Sequence, residues 1–417
     1  MEDIVPEGHL LRLVDQHIDF GFIKNKVRHL YSHTGRPSID PEILLRMLLI
    51  GYLYGITSER RLCEEVKMHI GYRWFVGLNM EDTIPDHSTF SKNRHERFAE
   101  SGICQEIFDE IIRQCTEKGL LTGKQITVDS AYIRANASFR ATTDLYHAAT
   151  YVMDNKSRII IGSDVGKPDL KTDSKKALEQ IRRIKWKHKI IPESIGADKG
   201  YATGEFINNL INENIKPHIP IFEYQRHNHK GIYTRESFTY DEANDIYLCP
   251  EGKEMRYWGI HKRSRQYVYR ARTKDCKVCM KKHECTKDRA RSVGFHIYED
   301  SISKAKELNK TKAYRRSQRM RKRIEELFGE AKEFMGMRTA KFRRLKFVKE
   351  QVLMTSTAQN IKRMVKLLSG KGPHREALAA KQPYASPFLN SLLEFLEWIF
   401  NYFEKLYSYK RNCSVKC

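Results

Sequence analysis

Three acidic residues stand where an acid needs a reason. Asp129 interrupts the β-rich run ITVDSAYIRA (126–135), Asp198 closes ESIGADKGY (193–201), and Glu325 sits among cations in YRRSQRMRKRIEELFGEAK (314–332). An acid in the middle of a central strand is costly to bury unless a cation or several donors meet it. At a strand end, a polar group lines the functional crevice of an α/β sheet. The third stretch has no Gly or Pro before Gly329 and is rich in helix formers. On that helix Arg321, Glu325, Phe328 and Lys332 share one face, so a carboxylate is presented between two cations. Ile324, Leu327, Ala331 and Phe334 form an apolar stripe beside it. Three carboxylates converging on one point would make a hard, oxygen-rich site for Mg²⁺ or Mn²⁺. With two such ions about 3.5–4 Å apart, a nucleophile is activated and the leaving oxygen of a phosphodiester is stabilised.

The elements that must position these acids are legible as a change of pattern near Gly123. Beyond it, the strand-like runs 126–135, RIIIGSDV (158–165), 193–201 and IKPHIPI (215–221) alternate with the helical runs LEQIRRIKW (178–186) and GEFINNLINEN (204–214). This alternation predicts an α/β sheet with covered faces. Before it, residues 1 to about 118 read as helical. Asp40-Pro41-Glu42 supplies an N-cap, an N1 proline and an acidic first turn for an apolar helix reaching Tyr54, where Gly55 ends it. Thr57 or Ser58 caps a second helix, Glu59 to about Ile70, ended by Gly71, with Trp74, Phe75 and Leu78 packing in the link. Asp86 caps a third helix, HSTFSKNRHERFAE. Such a region is either helix-turn-helix-like or a plain bundle with a polar outer face. In the first case the third helix offers His87, Ser88, Thr89, Ser91, Lys92 and Arg94 to phosphates and base edges.

The totals agree with a polyanionic partner. The chain has 417 residues, room for two or three domains, and Lys and Arg number 75 against 52 acids, a formal net charge of +23. Nucleic acid is the first candidate, an anionic membrane surface the second. The N-terminal MEDIVPEGHL carries no export signal, and the most apolar stretches are interrupted by Arg46, Glu394 and Glu397, so no membrane span is expected. Nine unevenly spaced cysteines are then expected as reduced thiols in a cytoplasm.

In order along the chain, the acid in VDS, the ADKGY run and the R-x3-E-x6-K pattern of Arg321, Glu325 and Lys332 resemble the DDE transposases of bacterial insertion sequences. The family has a tyrosine three residues before the arginine; here Gln318 stands there. GRPSIDPEILLRMLLIGYLYGITSERRLCEEV, TIPDHSTFSKNRH and VLMTSTAQNIKRMVKLL (352–368) are similar to the helical region before the catalytic domain and to its closing helix, so the likeness spans about 20 to 370. The resemblance implies an RNase H-like catalytic fold, Asp129, Asp198 and Glu325 as catalytic metal ligands for two Mg²⁺ or Mn²⁺ ions, and Arg321 and Lys332 as phosphate contacts. It implies cleavage at transposon ends, strand transfer into target DNA, a homodimer on DNA, and a cytoplasmic, nucleoid-associated location. A non-catalytic DNA-binding regulator or inactive relic, and a nuclease that cuts without joining, are the competing readings.

The expected organisation is a helical DNA-binding domain (1–118), the first part of an RNase H-like domain (122–235), a β-rich, cysteine-containing insertion (236–300), the second part with the Glu325 helix (301–369), and a linker with an amphipathic C-terminal helix (370–417). The insertion has strand-like DIYLCP, EMRYWG and RQYVYRAR, with Tyr257, Trp258, Tyr267, Tyr269 and Arg270 suited to DNA contact or to packing. Cys249, Cys276, Cys279 and Cys285 have the spacing for a structural zinc, with His261 and His283 as substitutes; free thiols are the alternative. In the tail, Leu389, Leu392, Leu396, Ile399, Phe403 and Leu406 step by 3 and 4, a heptad seam that docks on its own chain or on a second subunit. If it pairs subunits, deleting residues 380–417 is expected to weaken self-association in analytical ultracentrifugation; an unchanged oligomeric state removes the tail from that role.

Overall fold

The computed structural model describes residues 1–27, 39–94, 102–137, 145–168, 170–221 and 232–369, apart from the side chains of 170–172. The C-terminal helix and the last part of the third N-terminal helix lie outside them. The N-terminal region is helical: α1 (Leu10–His17), α2 (Phe22–Val27), α3 (Pro41–Tyr54), α4 (Glu59–Met68), α5 (Ile70–Val76), α6 (His87–Lys92) and α7 (Ile103–Glu117). Asp40 caps α3 by accepting from Glu42 N, and Gly55 ends it at φ 67°. Ser58 caps α4, accepting from Arg61 N. The break that follows differs from expectation. His69 ends α4 and caps α5 through its ring nitrogen, so Gly71 and Phe75 are buried inside a helix rather than placed in a link.

Arg94 is a second departure. Expected at a DNA surface, its side chain is 3% exposed and pairs with Glu350 (2.6 Å) and Glu59 (2.9 Å), with Tyr52 OH at 3.0 Å. The reason is periodicity: Arg94 lies four residues after the buried Phe90 and faces inward with it, while Ser88, Thr89 and Lys92 are exposed.

The second region is a mixed sheet. Its strands are β1 (Gln125–Arg134), β2 (Tyr146–Asp154), β3 (Ile160–Gly166), β4 (Ser194–Gly196) and β5 (Lys216–His218), with α8 (Leu170–His188) and α9 (Gly204–Asn212) between them. The order is β3-β2-β1-β4-β5; β2 is antiparallel to β1 and β3, whereas β4 is parallel to β1 and β5. β2 has no counterpart among the sequence expectations. Its run YHAATYVMD is buried on both faces, so it lacks the alternation that marks a half-exposed strand.

A second, antiparallel sheet follows, ordered β10-β9-β8-β7-β6: β6 (Thr239–Asp241), β7 (Ile246–Leu248), β8 (Glu254–His261), β9 (Gln266–Ala271) and β10 (Ser292–His296), with short helices α10 (Thr273–Lys277) and α11 (Lys282–Cys285) before β10. The chain then returns through α12 (Glu299–Asn309), α13 (Lys312–Phe334) and α14 (Leu345–Leu368). α13 is the Glu325 helix; its stripe buries Ile324, Leu327 and Ala331, but Phe334 is 37% exposed at its end. α14 is buried along most of its length against α3, α7 and β3. There Asn360 accepts from Ile160 N (2.8 Å) and donates to Ile160 O (2.7 Å), satisfying the edge of β3 as a neighbouring strand would.

Arg94→Ala is expected to cost roughly 3–5 kcal/mol, because it leaves Glu350 buried without its cation. A thermal melt checks this; an unchanged melting temperature would mean that the pair does not hold α6 to α14.

Candidate active site

The sheet register brings the two aspartates together. Thr127 of β1 pairs with Gly196 of parallel β4. Asp129 and Asp198 each lie two residues further on, at the carboxyl end of β4, in adjacent strand paths about 4.8 Å apart. Asp198 caps the single 3-10 turn Lys199–Tyr201, accepting from Gly200 N at 2.9 Å. The Tyr201 hydroxyl is 2.7 Å from Ser130 Oγ, which is 2.8 Å from Thr150 Oγ1. That hydroxyl chain ties the Asp198 turn to β1 beside Asp129. Within it, Ser130 and Tyr201 belong to the VDS and ADKGY runs visible in the sequence, and Thr150 does not.

α13 supplies the third acid by lying across β1, β4 and β5. Ser317 packs so closely on Gly196 that a Cβ there would stand 2.8 Å from Ser317 Oγ. Gln318 Nε2 donates to His218 O (2.6 Å) and Ala197 O (3.2 Å), fastening the helix to the ends of β4 and β5. Phe328 stacks on Tyr151 at 4.4 Å, and Tyr151 is the β2 partner of Asp129. Glu325, one turn back from Phe328, thereby projects over Asp129. One Arg321 amine lies 3.1 Å from Asp129 Oδ2 and 3.3 Å from Glu325 Oε1. Lys332 is half-buried two turns beyond Glu325 on that face. The neighbouring acids are engaged elsewhere, Glu326 with Arg158 and Glu330 with Gln359 and Lys362.

Electrostatics separate a site acid from a structural one. Asp154 is fully buried, but it accepts from Thr122 Oγ1, Gly123 N, Ser157 N and Ser157 Oγ. Asp129, with a side chain 15% exposed, has the Ser130 N–H and Arg321. Burial pushes its carboxyl up to about 6; the Ser130 amide and Arg321 oppose this, and nearby Asp198 and Glu325 reinforce it. Asp129 and Glu325 therefore share one arginine, and Asp198 lies close enough to add its negative charge to theirs. All donors are carboxylate oxygens, which suits a hard divalent cation. Among the described residues no three His, Cys, Asp or Glu side chains stand at mutual ligand distance; at this site Arg321 occupies the space between Asp129 and Glu325. The buried Arg321 Nε has no acceptor among the described residues.

Two family models match the chain. Residues 1–96 match one described as Transposase domain (DUF772), and residues 248–365 match one described as Transposase DDE domain, a span containing Glu325. The chain is a DDE transposase. Its mixed α/β sheet is RNase H-like, and a DDE transposase domain implies dependence on divalent metal in general. No curated protein matches the transposase. A solved structure, the cryo-EM piggyBac transposase synaptic complex with hairpin DNA, is 11% identical at a TM-score of 0.37, over 93% of this chain and 82% of that one. Among the described residues of the transposase, no helix is long and apolar enough to cross a membrane.

Because the folded Asp129 carboxyl ionises near 6 and the unfolded one near 3.8, its ionisation opposes folding. The penalty is absent below about pH 4 and complete above about pH 7. In metal-free buffer, Asp129→Asn is therefore expected to raise stability on the order of 2 kcal/mol at pH 8 and negligibly at pH 4. Denaturant unfolding at the two pH values checks this; a pH-independent difference would contradict it.

Proposed function

We propose that this transposase cleaves phosphodiesters at the ends of its element and joins the freed 3′-OH to target DNA, with Asp129, Asp198 and Glu325 as the catalytic carboxylates. The observation that carries the reading is the single Arg321 amine within 3.3 Å of both Asp129 and Glu325, beside a strand register that sets Asp198 next to Asp129. The three carboxylates would hold two Mg²⁺ or Mn²⁺ ions, which when bound supply Lewis acidity at the scissile phosphate. Arg321 must then give up one carboxylate. Its free Nε and released amine are suited to a phosphate oxygen, with Lys332 further along the same face. Holding a cation needs the ionised Asp129, so binding of Mg²⁺ or Mn²⁺ should weaken as pH drops through about 6.

The finer organisation belongs to the same proposal. The helices of residues 1–118 form the helix-turn-helix-like DNA-binding domain, with the exposed Ser88, Thr89 and Lys92 of α6 at the duplex and Arg94 holding α6 to α14 from behind. The parts at 122–235 and 301–369 form the catalytic domain, and 236–300 is an insertion within it. The net charge of +23 provides sequence-independent affinity for DNA, and joining two ends calls for a homodimer on the DNA. A nucleoid-associated location would follow from that affinity.

Asp129→Asn, Asp198→Asn and Glu325→Gln are each expected to lower both end cleavage and strand transfer by on the order of a hundredfold or more, with DNA affinity retained in a gel-shift assay. Full activity in any one variant removes that residue from the site. Cleavage by the native protein without joining would leave a nuclease.

A further inference from the structure

The second sheet carries a site that the transposition chemistry does not use. Its own core is small: Phe238, Met255, Ala271 and Val293 are the buried residues of a cluster separate from the main core. Burying so few apolar side chains offsets only a small part of the entropy lost in ordering the segment. Units of this size usually carry a staple. The cysteines of the segment are not joined in disulfides.

Four of them meet at one place. Cys249 follows β7, Cys276 lies in α10, Cys279 follows it, and Cys285 ends α11. All four line a single cavity of about 30 Å³. Cys249 opens a tight turn, Cys249-Pro250-Glu251-Gly252-Lys253. In it Gly252, at φ +69°, donates its amide to Cys249 O at 2.7 Å, and Lys253 N–H points at Cys249 Sγ at 3.4 Å. A backbone N–H aimed at sulfur is the kind of outer contact that orients a metal ligand. The wall has four cations, Lys253, Lys281, Lys282 and Arg291, and two acids, Glu251 and Asp275, with Lys281 paired to Glu251 at 2.6 Å. The excess of two positive charges offsets the net −2 of four thiolates around a divalent ion.

We propose that Cys249, Cys276, Cys279 and Cys285 bind one structural Zn²⁺ as a tetrathiolate. Soft sulfur donors in a closed set of four, with a C-x2-C pair and two single residues from separate turns, fit zinc and leave no open coordination position for catalysis. The sulfurs do not stand at mutual ligand distance in this structure, and the proposal requires the four side chains to turn toward the cavity they share. The ion clips both ends of the second sheet. Tyr233, at its start, donates its N–H to Glu284 O (2.6 Å), next to Cys285, and accepts at its own carbonyl from Arg291 (3.0 Å), next to β10. β10 leads directly into α12 and α13. The site therefore sets where the chain re-enters the catalytic sheet, and the proposal stands whether or not the carboxylates have the roles given above.

The test uses the full chain purified without chelator. Elemental mass spectrometry is expected to find about one zinc per chain, and the Cys276→Ser/Cys279→Ser variant to have lost it. Cobalt(II) added to the chelated native protein should give thiolate charge-transfer and tetrahedral d–d absorption, absent in that variant. Should the variant fail to fold, the native protein still decides. Alkylation of the four thiols should be slow with zinc and fast after chelation, and chelation should open 232–298 to limited proteolysis. Native protein without zinc and with no cobalt spectrum, a variant that keeps its metal, or iron in place of zinc would each overturn the proposal.

Discussion

An ionised carboxylate held in the body of a sheet is the constraint on which the catalytic region is built. Asp129 has two donors where the more deeply buried Asp154 has four, and two further acids stand near it. A fold selected only for stability would remove such a group or surround it with donors. Keeping it instead stores negative potential in one place, which is what a site for divalent cations requires. Arg321 meets part of that potential, and its link to both Asp129 and Glu325 holds those two acids together.

The surrounding structure acts to hold this frustrated cluster. The hydroxyls of Tyr201, Ser130 and Thr150 fix the Asp198 turn against β1. Gln318 and the Ser317–Gly196 contact fix α13 against β4 and β5. Phe328 on Tyr151 sets the rotation of the helix, so that Glu325 rather than Glu326 or Glu330 faces Asp129. Behind α13, Gln359 of α14 donates to Leu327 O at 2.8 Å, and Asn360 seals the edge of β3. The same α14 reaches the N-terminal helices through Glu350 and Arg94. One helix thus couples the N-terminal helices to the mixed sheet through buried polar contacts, and such contacts specify a geometry more sharply than apolar packing does.

Elements with strong local signals were legible. The cap and proline of α3, the apolar stripe of α13 and the glycine stop at Gly55 depend on neighbours within a few residues, and the structure has them in place. β2 was not legible, because a strand covered on both faces loses its period. The boundary between α4 and α5 was misread because a histidine, His69, does the capping that Gly71 was expected to mark. Gln318, which departs from the family pattern, proves to be a pair of hydrogen bonds from the helix to the sheet, and a sequence cannot show a bond spanning 100 residues.

By itself the sequence singled out the residues whose types and spacing suit chemistry: the acids Asp129, Asp198 and Glu325, the cations on the last one's helix face, and four cysteines with ligand spacing. Those are properties of residue type and local period. Tertiary structure alone decided which of them meet. Parallel pairing of β1 with β4 aligned two aspartates 69 positions apart, and the crossing of α13 delivered Arg321 to Asp129 across 192 positions. It also turned Arg94 inward, because the side of a helix that faces the core is settled by what packs against it.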